Sequence, residues 1–448
     1  MGRYFGTDGV RGLANSELTP ELAFKVGRAG AYVLSKRKNH APRIIIASDT
    51  RRSCFMLEAA ISAGICSVGG SVVLAGVLPT PAIAYLTKRR EFDAGIVISA
   101  SHNSFEDNGI KFFGTEGYKL PDETENEIEN YIENIDKIPN PTGDKVGTGE
   151  RKDYLEEYIN FLKKTSDGLD LKGIKIAVDC ANGATYRAAP SVLFELGASV
   201  FVINNEPDGK NINRKCGSTN MAQLIEYVNE NHMDLGIAFD GDGDRCHLVD
   251  ENGKDIKGDE IMSICACHMR DAGKLNKNTL IATIMSNLGL FMMGEREKIA
   301  IEKTQVGDRL VLERMLEGGF NLGGEQSGHI IFSDYNTTGD GILTALQVLK
   351  IMTETGKKLS ELNTKMEIMP QALINANVPN SKKYNCLNNE KIKKAVDEIT
   401  KKFDGRGRVV IRPSGTESYV RIMIEGKDKK EITDEAQKLA ALIEAEMN

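Results

Sequence analysis

Short β-branched runs alternate with stretches of helical periodicity along most of this 448-residue chain, and no other feature constrains its fold as strongly. Strands separated by helices pair largely in parallel within layered α/β sheets. The candidate strands are Arg43–Ala47, Ser71–Gly76, Ala94–Ser99, Ile174–Asp179, Val200–Asn204, Leu235–Phe239 and Leu280–Ile284. Three of them run into a turn of small residues and Asn that is expected to open a helix: Ser99–Asn103, Cys180–Gly183 and Met285–Leu288. Ligands bind at the carboxyl ends of strands in such sheets, so the recurrence points to three related units facing one cleft. After the helical stretch Asp340–Glu354, the segment Met366–Pro379 opens a different unit. A helix over Asn388–Lys402, strands at Val409–Arg412 and Tyr419–Glu425, and a last helix with Ile432, Ala436, Leu439 and Ile443 on one face make a small α+β body.

Composition removes several function classes. The chain is 41% apolar and 27% charged, and no apolar run approaches the ~18 residues of a spanning helix, so no membrane partner is expected. The opening MGRYFGTDGV lacks the basic flank and apolar core of a signal peptide. Eight cysteines lie scattered without metal or disulfide spacing, which predicts reduced thiols and a cytoplasmic setting. A net charge of −7 with only short basic clusters argues against a nucleic-acid partner.

The run Asp240–Arg245, DGDGDR, places carboxylates at Asp240, Asp242 and Asp244. They converge only if the backbone bends tightly, and Gly241 and Gly243 are expected to supply the positive φ. An oxygen-only set favours Mg²⁺ or Ca²⁺. An EF-hand loop is excluded, because its sixth position is Arg245 and its flanks read as strands. Ser99–Asn103, SASHN, ends a strand, where a hydroxyl is expected to stand exposed at the sheet edge. A serine aimed at such a cation site is equipped to carry a phosphoryl group. Arg412–Arg421, RPSGTESYVR, reads as a phosphate cradle: Ser414, Gly415 and Thr416 offer hydroxyls and approachable N–H groups, and Arg412 and Arg421 add charge. In Gly323–His329, GGEQSGH, an extended backbone would point Glu325 and Ser327 the same way, toward neighbouring hydroxyls.

These four runs, in this order, resemble the α-D-phosphohexomutase superfamily over nearly the whole chain. Further matches are FGTDGVRG at Phe5–Gly12, DTR at Asp49–Arg51, PTP at Pro79–Pro81, PDGKNIN at Pro207–Asn213 and CGST at Cys216–Thr219. The FGTDGVRG start, Gln326 in the sugar loop and TGDG at Thr338–Gly341 look most like the branch acting on glucosamine phosphates. Ser104 and Ser418 stand where family members commonly have proline, and Ser48 and Cys54 flank DTR atypically.

The resemblance implies three similar mixed-sheet α/β domains plus a smaller C-terminal α+β domain around a central cleft. Their expected bounds are 1–150 (phosphoserine loop), 151–254 (metal), 255–367 (sugar) and 368–448 (phosphate). It implies a phosphoserine at Ser101, and Mg²⁺ held by Asp240, Asp242, Asp244 and a phosphate oxygen on Ser101. Arg11 joins the substrate-binding set, Arg245 would stabilise phosphoryl charge, and Lys111 or His329 would move the proton. The implied substrate is a phosphorylated amino sugar. Glucosamine 6-phosphate and glucosamine 1-phosphate would interconvert through a 1,6-bisphosphate, a step toward UDP-N-acetylglucosamine, in a homodimer. From residues alone, an aspartyl-phosphate hydrolase built on Asp240 and a non-catalytic cation module stay open, but neither accounts for the C-terminal cradle.

Overall fold

The computed structural model of the chain describes residues 3–6, 8–403, 405–414 and 418–447. Its strands form four sheets. The first holds β1 (Phe5–Gly6), β2 (Gly9–Leu13), β3 (Arg43–Ser48), β4 (Ser71–Val77), β5 (Ala94–Ile98), β6 (Asp107–Gly114) and β7 (Gly149–Arg151), in the order β1-β2-β6-β5-β3-β4-β7. The second holds β8 (Lys175–Asp179), β9 (Ser199–Ile203), β10 (Leu235–Phe239), β11 (Cys246–Val249) and β12 (Asp255–Ile256), ordered β12-β11-β10-β8-β9. The third is β14-β13-β15-β16, from β13 (Thr279–Thr283), β14 (Ala300–Thr304), β15 (Leu322–Gly324) and β16 (Ile330–Phe332). The last is β17-β19-β18, from β17 (Gln371–Asn377), β18 (Gly407–Pro413) and β19 (Tyr419–Gly426).

One four-strand unit recurs in the first three sheets, as β6-β5-β3-β4, β11-β10-β8-β9 and β16-β15-β13-β14. Each has three parallel strands and one that returns antiparallel. The parallel strands lie between helical layers, which explains their unbroken apolar runs: β5 and β10 are buried at every position.

The recurrence differs from the expected one in a single member. The turns after β8 and β13 do lead to helices, Ala188–Glu195 and Leu288–Glu297, the first through a 3-10 turn at Ala184–Tyr186. Their counterpart in the first sheet is the turn after β3, which opens the helix Cys54–Cys66. The loop after β5 enters β6 instead, and belongs with the loops after β10 and β15. Helix-opening and hairpin turns both use small residues and Asn, so local composition does not separate them.

In the fourth sheet, alternate residues of β19, Val420, Ile422 and Ile424, pack with Ile432, Leu439 and Ile443 of the helix Lys429–Met447. The cross-strand rows Gln371–Glu425–Arg408, Leu373–Met423–Val410 and Asn375–Arg421–Arg412 share the other face. The first row is the joint to the third domain. Arg408 pairs with buried Glu425 and also donates to the Ser286 carbonyl. Glu425 accepts from the Leu288 N–H at 3.1 Å. Asn287 and the Met369 backbone exchange two hydrogen bonds of 2.9 Å.

Under this joint, Asp259 accepts from the Asn287 N–H at 2.7 Å. Burial, aided by the Glu425 charge, pushes its carboxyl from the ordinary 3.8 up to about 7. The native chain therefore holds this proton more tightly than the unfolded chain, and the associated stability, present near pH 4, is lost as pH rises to 7. Asp259→Asn keeps the acceptor and removes the titration. Its melting temperature should match that of the parent near pH 4 and exceed it by roughly 2–4 °C at pH 8, as a pH series of thermal melts would read; an offset that does not change with pH counts against the assignment.

Candidate active site

The loop Asp240–Arg245 joins β10 to its antiparallel neighbour β11. Only one of its two glycines takes a left-handed backbone, Gly243 at φ +73°. Gly241 is required for space: a Cβ there would lie 2.5 Å from the Ser101 carbonyl oxygen. Oxygens of Asp240, Asp242 and Asp244 gather within 4.8 Å of one another, and all three residues are buried. Burial and the neighbouring carboxylates push Asp240 well above the usual range and raise Asp244. Burial acts on Asp242 in the same sense, but Lys111 outweighs it and holds that carboxyl low. Asp242 Oδ1 and Asp244 Oδ1 have no hydrogen-bond partner among the described residues. Buried, mutually repelling, partly unpaired carboxylates are the donor set a hard cation requires, so the site fits a metal ion.

Ser101 meets this loop from the first domain. Its Oγ donates to Asp240 at 2.5 Å. The residue is 1% exposed, so the hydroxyl expected at an open sheet edge is covered, because the metal loop closes over it. Ser101 also sits at φ +50°, a region costly for any residue with a Cβ.

The structure gathers most of the other candidates here. Lys111 is 2% exposed and donates to Asp242 at 2.8 Å, with Asp8 at 3.1 Å and Asp244 at 3.9 Å. Burial opposes its charge, yet these carboxylates outweigh burial and raise its pKa. The Arg245 N–H donates to Asp240 at 3.2 Å, and its guanidinium lies 3.8 Å from Asp244 and 3.1 Å from His102 Nδ1. Burial, then the Arg245 charge, lower the His102 pKa to about 4. His329 pairs in a β-bridge with Arg245, and its Nε2 lies 4.0 Å from Asp244 and 3.8 Å from Asp308. Arg11 is ion-paired with Asp8.

Several residues here escaped the sequence reading. Lys119 donates at 2.6 Å to both Asp8 and Asp308, joining the first and third domains. Thr80 donates to Asp242 at 2.7 Å. Asp8 and Thr80 lie inside motifs that were noted, FGTDGVRG and PTP, whereas nothing near Lys119 marks it.

The run Gly323–His329 is a tight turn and not the extended segment expected. Its ends are paired as β15 and β16, so the Gly328 N–H folds back onto the Glu325 carbonyl at 3.0 Å. Glu325 Oε1 accepts from the Gly307 N–H at 3.1 Å, and Ser327 Oγ is buried without a partner among the described residues. On the fourth domain, Arg412 and Arg421 sit directly opposite each other on β18 and β19. Burial and Arg421 lower the Arg412 pKa against the pull of Glu325. Ser414 is buried at the end of β18. Gly415 and Thr416 lie outside the described residues.

The chain matches the phosphoglucomutase/phosphomannomutase domains in order: alpha/beta/alpha domain I over residues 2–139, II over 153–253, III over 257–368, and the C-terminal domain over 373–442. No helix among the described residues is long and apolar enough to cross a membrane. Among solved structures, a phosphoglucomutase/phosphomannomutase family protein of Burkholderia thailandensis has the same fold at 22% identity, with TM-score 0.80 over 100% of this chain and 99% of that one. The N-acetylphosphoglucosamine mutase of Aspergillus fumigatus, solved in complex with GlcNAc-6P and magnesium, aligns with TM-score 0.69 at 18% identity over 99% and 96% of the two chains. The phosphoglucosamine mutase of Acetivibrio thermocellus is 56% identical over 99% of each chain. That of Ruminiclostridium cellulolyticum is 58% identical from end to end of both, and with likeness at that level the chain belongs to the phosphoglucosamine mutase family of phosphohexomutases.

Proposed function

We propose that this chain interconverts glucosamine 6-phosphate and glucosamine 1-phosphate through a phosphoserine at Ser101. The observation that carries the reading is the buried Ser101 hydroxyl, 2.5 Å from an aspartate of the cation site, in a chain 58% identical over its full length to a phosphoglucosamine mutase. The work divides among segments 1–150, 151–254, 255–367 and 368–448, which supply the phosphoserine, metal, sugar and phosphate loops.

In the forward half-reaction a sugar hydroxyl attacks the phosphorus on Ser101. The new sugar O–P bond forms, the Ser101 Oγ–P bond breaks, and the hydroxyl proton ends on Ser101 Oγ. The bisphosphate then presents its other phosphate, which returns to Ser101 by the reverse step. Asp240, Asp242 and Asp244 would hold Mg²⁺, which supplies charge neutralisation for the phosphoryl oxygens when bound. Arg245 faces the same oxygens. Lys111 is held strongly protonated by three carboxylates, which suits a charge-stabilising role and leaves His329, whose ring nitrogens have no hydrogen-bond partner among the described residues, as the better candidate to move the proton. Glu325 and Ser327 grip the sugar hydroxyls, and Arg11 lines the substrate path beside Asp8. Arg412, Ser414, Gly415, Thr416 and Arg421 hold whichever phosphate is not reacting. Two guanidinium groups directly opposite on paired strands present N–H donors that one anion can take from both, which supports that assignment.

All eight cysteines are free thiols, which supports a cytoplasmic setting, and the net charge of −7 argues against a nucleic-acid partner. Family membership is the ground for expecting a homodimer.

With Mg²⁺ and a trace of bisphosphate, turnover should favour glucosamine 1-phosphate over glucose 1-phosphate and mannose 1-phosphate, and Ser101→Ala should abolish it. Equal use of the neutral sugars would move the chain to another branch, and activity surviving in Ser101→Ala would remove the phosphoserine. Asp240→Asn separates stability from function at the cation site. In the presence of a chelator it should melt higher than the parent, because a repelled buried charge is gone. With saturating Mg²⁺ its kcat should fall on the order of 10²-fold or more. A lower melting temperature in chelator would contradict the proposed repulsion.

A further inference from the structure

The phosphoserine loop is gripped by its backbone carbonyls, and the grip comes from two domains. Arg51, fully buried against Asp49 at 2.8 Å, donates to the carbonyls of Ser101 and Asn103 at 2.9 Å, Asp107 at 3.1 Å, and Ser104. Asn213, on the second domain, places one amide nitrogen 2.8 Å from the Ser101 carbonyl and 2.9 Å from that of Asn103. The Ser101 carbonyl thus accepts one bond from each domain and uses both lone pairs.

Asn213 is in turn tied to its own domain. Its N–H donates to the Ala181 carbonyl at 2.9 Å, in the turn after β8. The neighbouring Asn182 carbonyl accepts from Thr50 Oγ at 2.5 Å, and the Arg52 N–H donates to Gly209 at 2.9 Å. Gly241 of the metal loop completes the stack, since a Cβ there would lie 2.8 Å from the Asn213 amide nitrogen as well as against the Ser101 carbonyl. The amide is therefore wedged between the metal loop and the serine loop.

We propose that Asn213 is a positioning residue for phosphoryl transfer, carrying the register of the metal loop across the domain boundary to the Ser101 backbone. The inference rests on the mutase reading above. Asn213 does not touch the reacting atoms. It holds Ser101 in its left-handed conformation, and that conformation aims Oγ at Asp240. Asparagine suits the place because one NH₂ group carries two hydrogens, one for each carbonyl. An aspartate of the same shape would turn oxygen toward oxygen.

Asn213 itself sits at φ +58°, so Asn213→Gly removes the fork without straining the backbone, and Asn213→Asp keeps the shape and reverses the polarity. Both variants are compared with the parent chain, full length with Mg²⁺, on glucosamine 6-phosphate. A second readout is the rate at which dephosphorylated protein takes a phosphoryl group from glucose 1,6-bisphosphate, followed as mass gained. Small misplacements of a reacting group cost up to about 10²-fold. Asn213→Gly should lower kcat about 10- to 100-fold and slow phosphoryl uptake in parallel, with KM within about twofold because other loops bind the sugar. Asn213→Asp should be slower still, and the melting temperature of the glycine variant should stay within about 3 °C of the parent. A kcat within about twofold of the parent overturns the proposal, as does a raised KM at unchanged kcat, which would make Asn213 a binding residue. An inactive parent would instead sink the mutase reading.

Discussion

Everything at the centre of this molecule answers to three buried carboxylates held within 4.8 Å of one another. At an effective dielectric of about 20, each such pair repels by roughly 3–4 kcal/mol. Three pairs together rival the whole stability of an ordinary domain. Isolated, the loop could not persist. Two cations from different directions answer the repulsion, Lys111 from the first domain and Arg245 from the loop itself, and Thr80 adds a neutral donor. Protein groups leave the account unbalanced, with Asp240 and Asp244 still pushed upward. That residual is what a cation would stabilise, and it is why the proposed Mg²⁺ belongs to the physics of the loop as much as to its chemistry.

The recurring four-strand unit explains how such a loop is built and surrounded. In each of three sheets the third parallel strand turns back into an antiparallel neighbour, and the turn projects from the carboxyl ends of the sheet. The three turns carry Ser101, the carboxylates Asp240, Asp242 and Asp244, and the bend Glu325–Gly328. They meet because the domains lock to one another close to them. Arg245 bridges His329, and the Cys246 N–H donates to Gly328 at 3.1 Å. Lys119 spans Asp8 and Asp308. The helix-opening turns serve the joints: Asn182 accepts from Thr50, and Asn287 binds the Met369 backbone.

How much of this the chain discloses before folding depends on whether a residue acts through its neighbours in sequence or in space. The candidate strands were legible to within a residue or so, since burial on both faces leaves apolar runs that polar turns bound, as at Leu235–Phe239. The aspartates were legible because their chemistry is written in one hexapeptide. Gly241 was recognised for the wrong reason: its lack of a side chain matters to Ser101, 140 positions away in sequence. The covering of Ser101 and the bridge at Lys119 depend on partners brought from other segments. No local pattern encodes them.

The fourth domain shows the same logic on one sheet face. Its three cross-strand rows run from a joint, Gln371–Glu425–Arg408, through an apolar row, Leu373–Met423–Val410, to a polar row holding Arg412 and Arg421. These rows are two residues apart on paired strands, so they lie side by side on one face. The lower row is bolted to the turn Ser286–Leu288 by a buried carboxylate and an arginine. The upper row sets two guanidinium groups opposite each other, with Glu325 of the third domain acting on Arg412 from across the cleft. An anion bound there, as proposed, would take charge-assisted bonds from both arginines and tie that row to whatever carries the anion. One sheet thus carries a joint at one end and a pair of guanidinium groups at the other, and its two ends do different work.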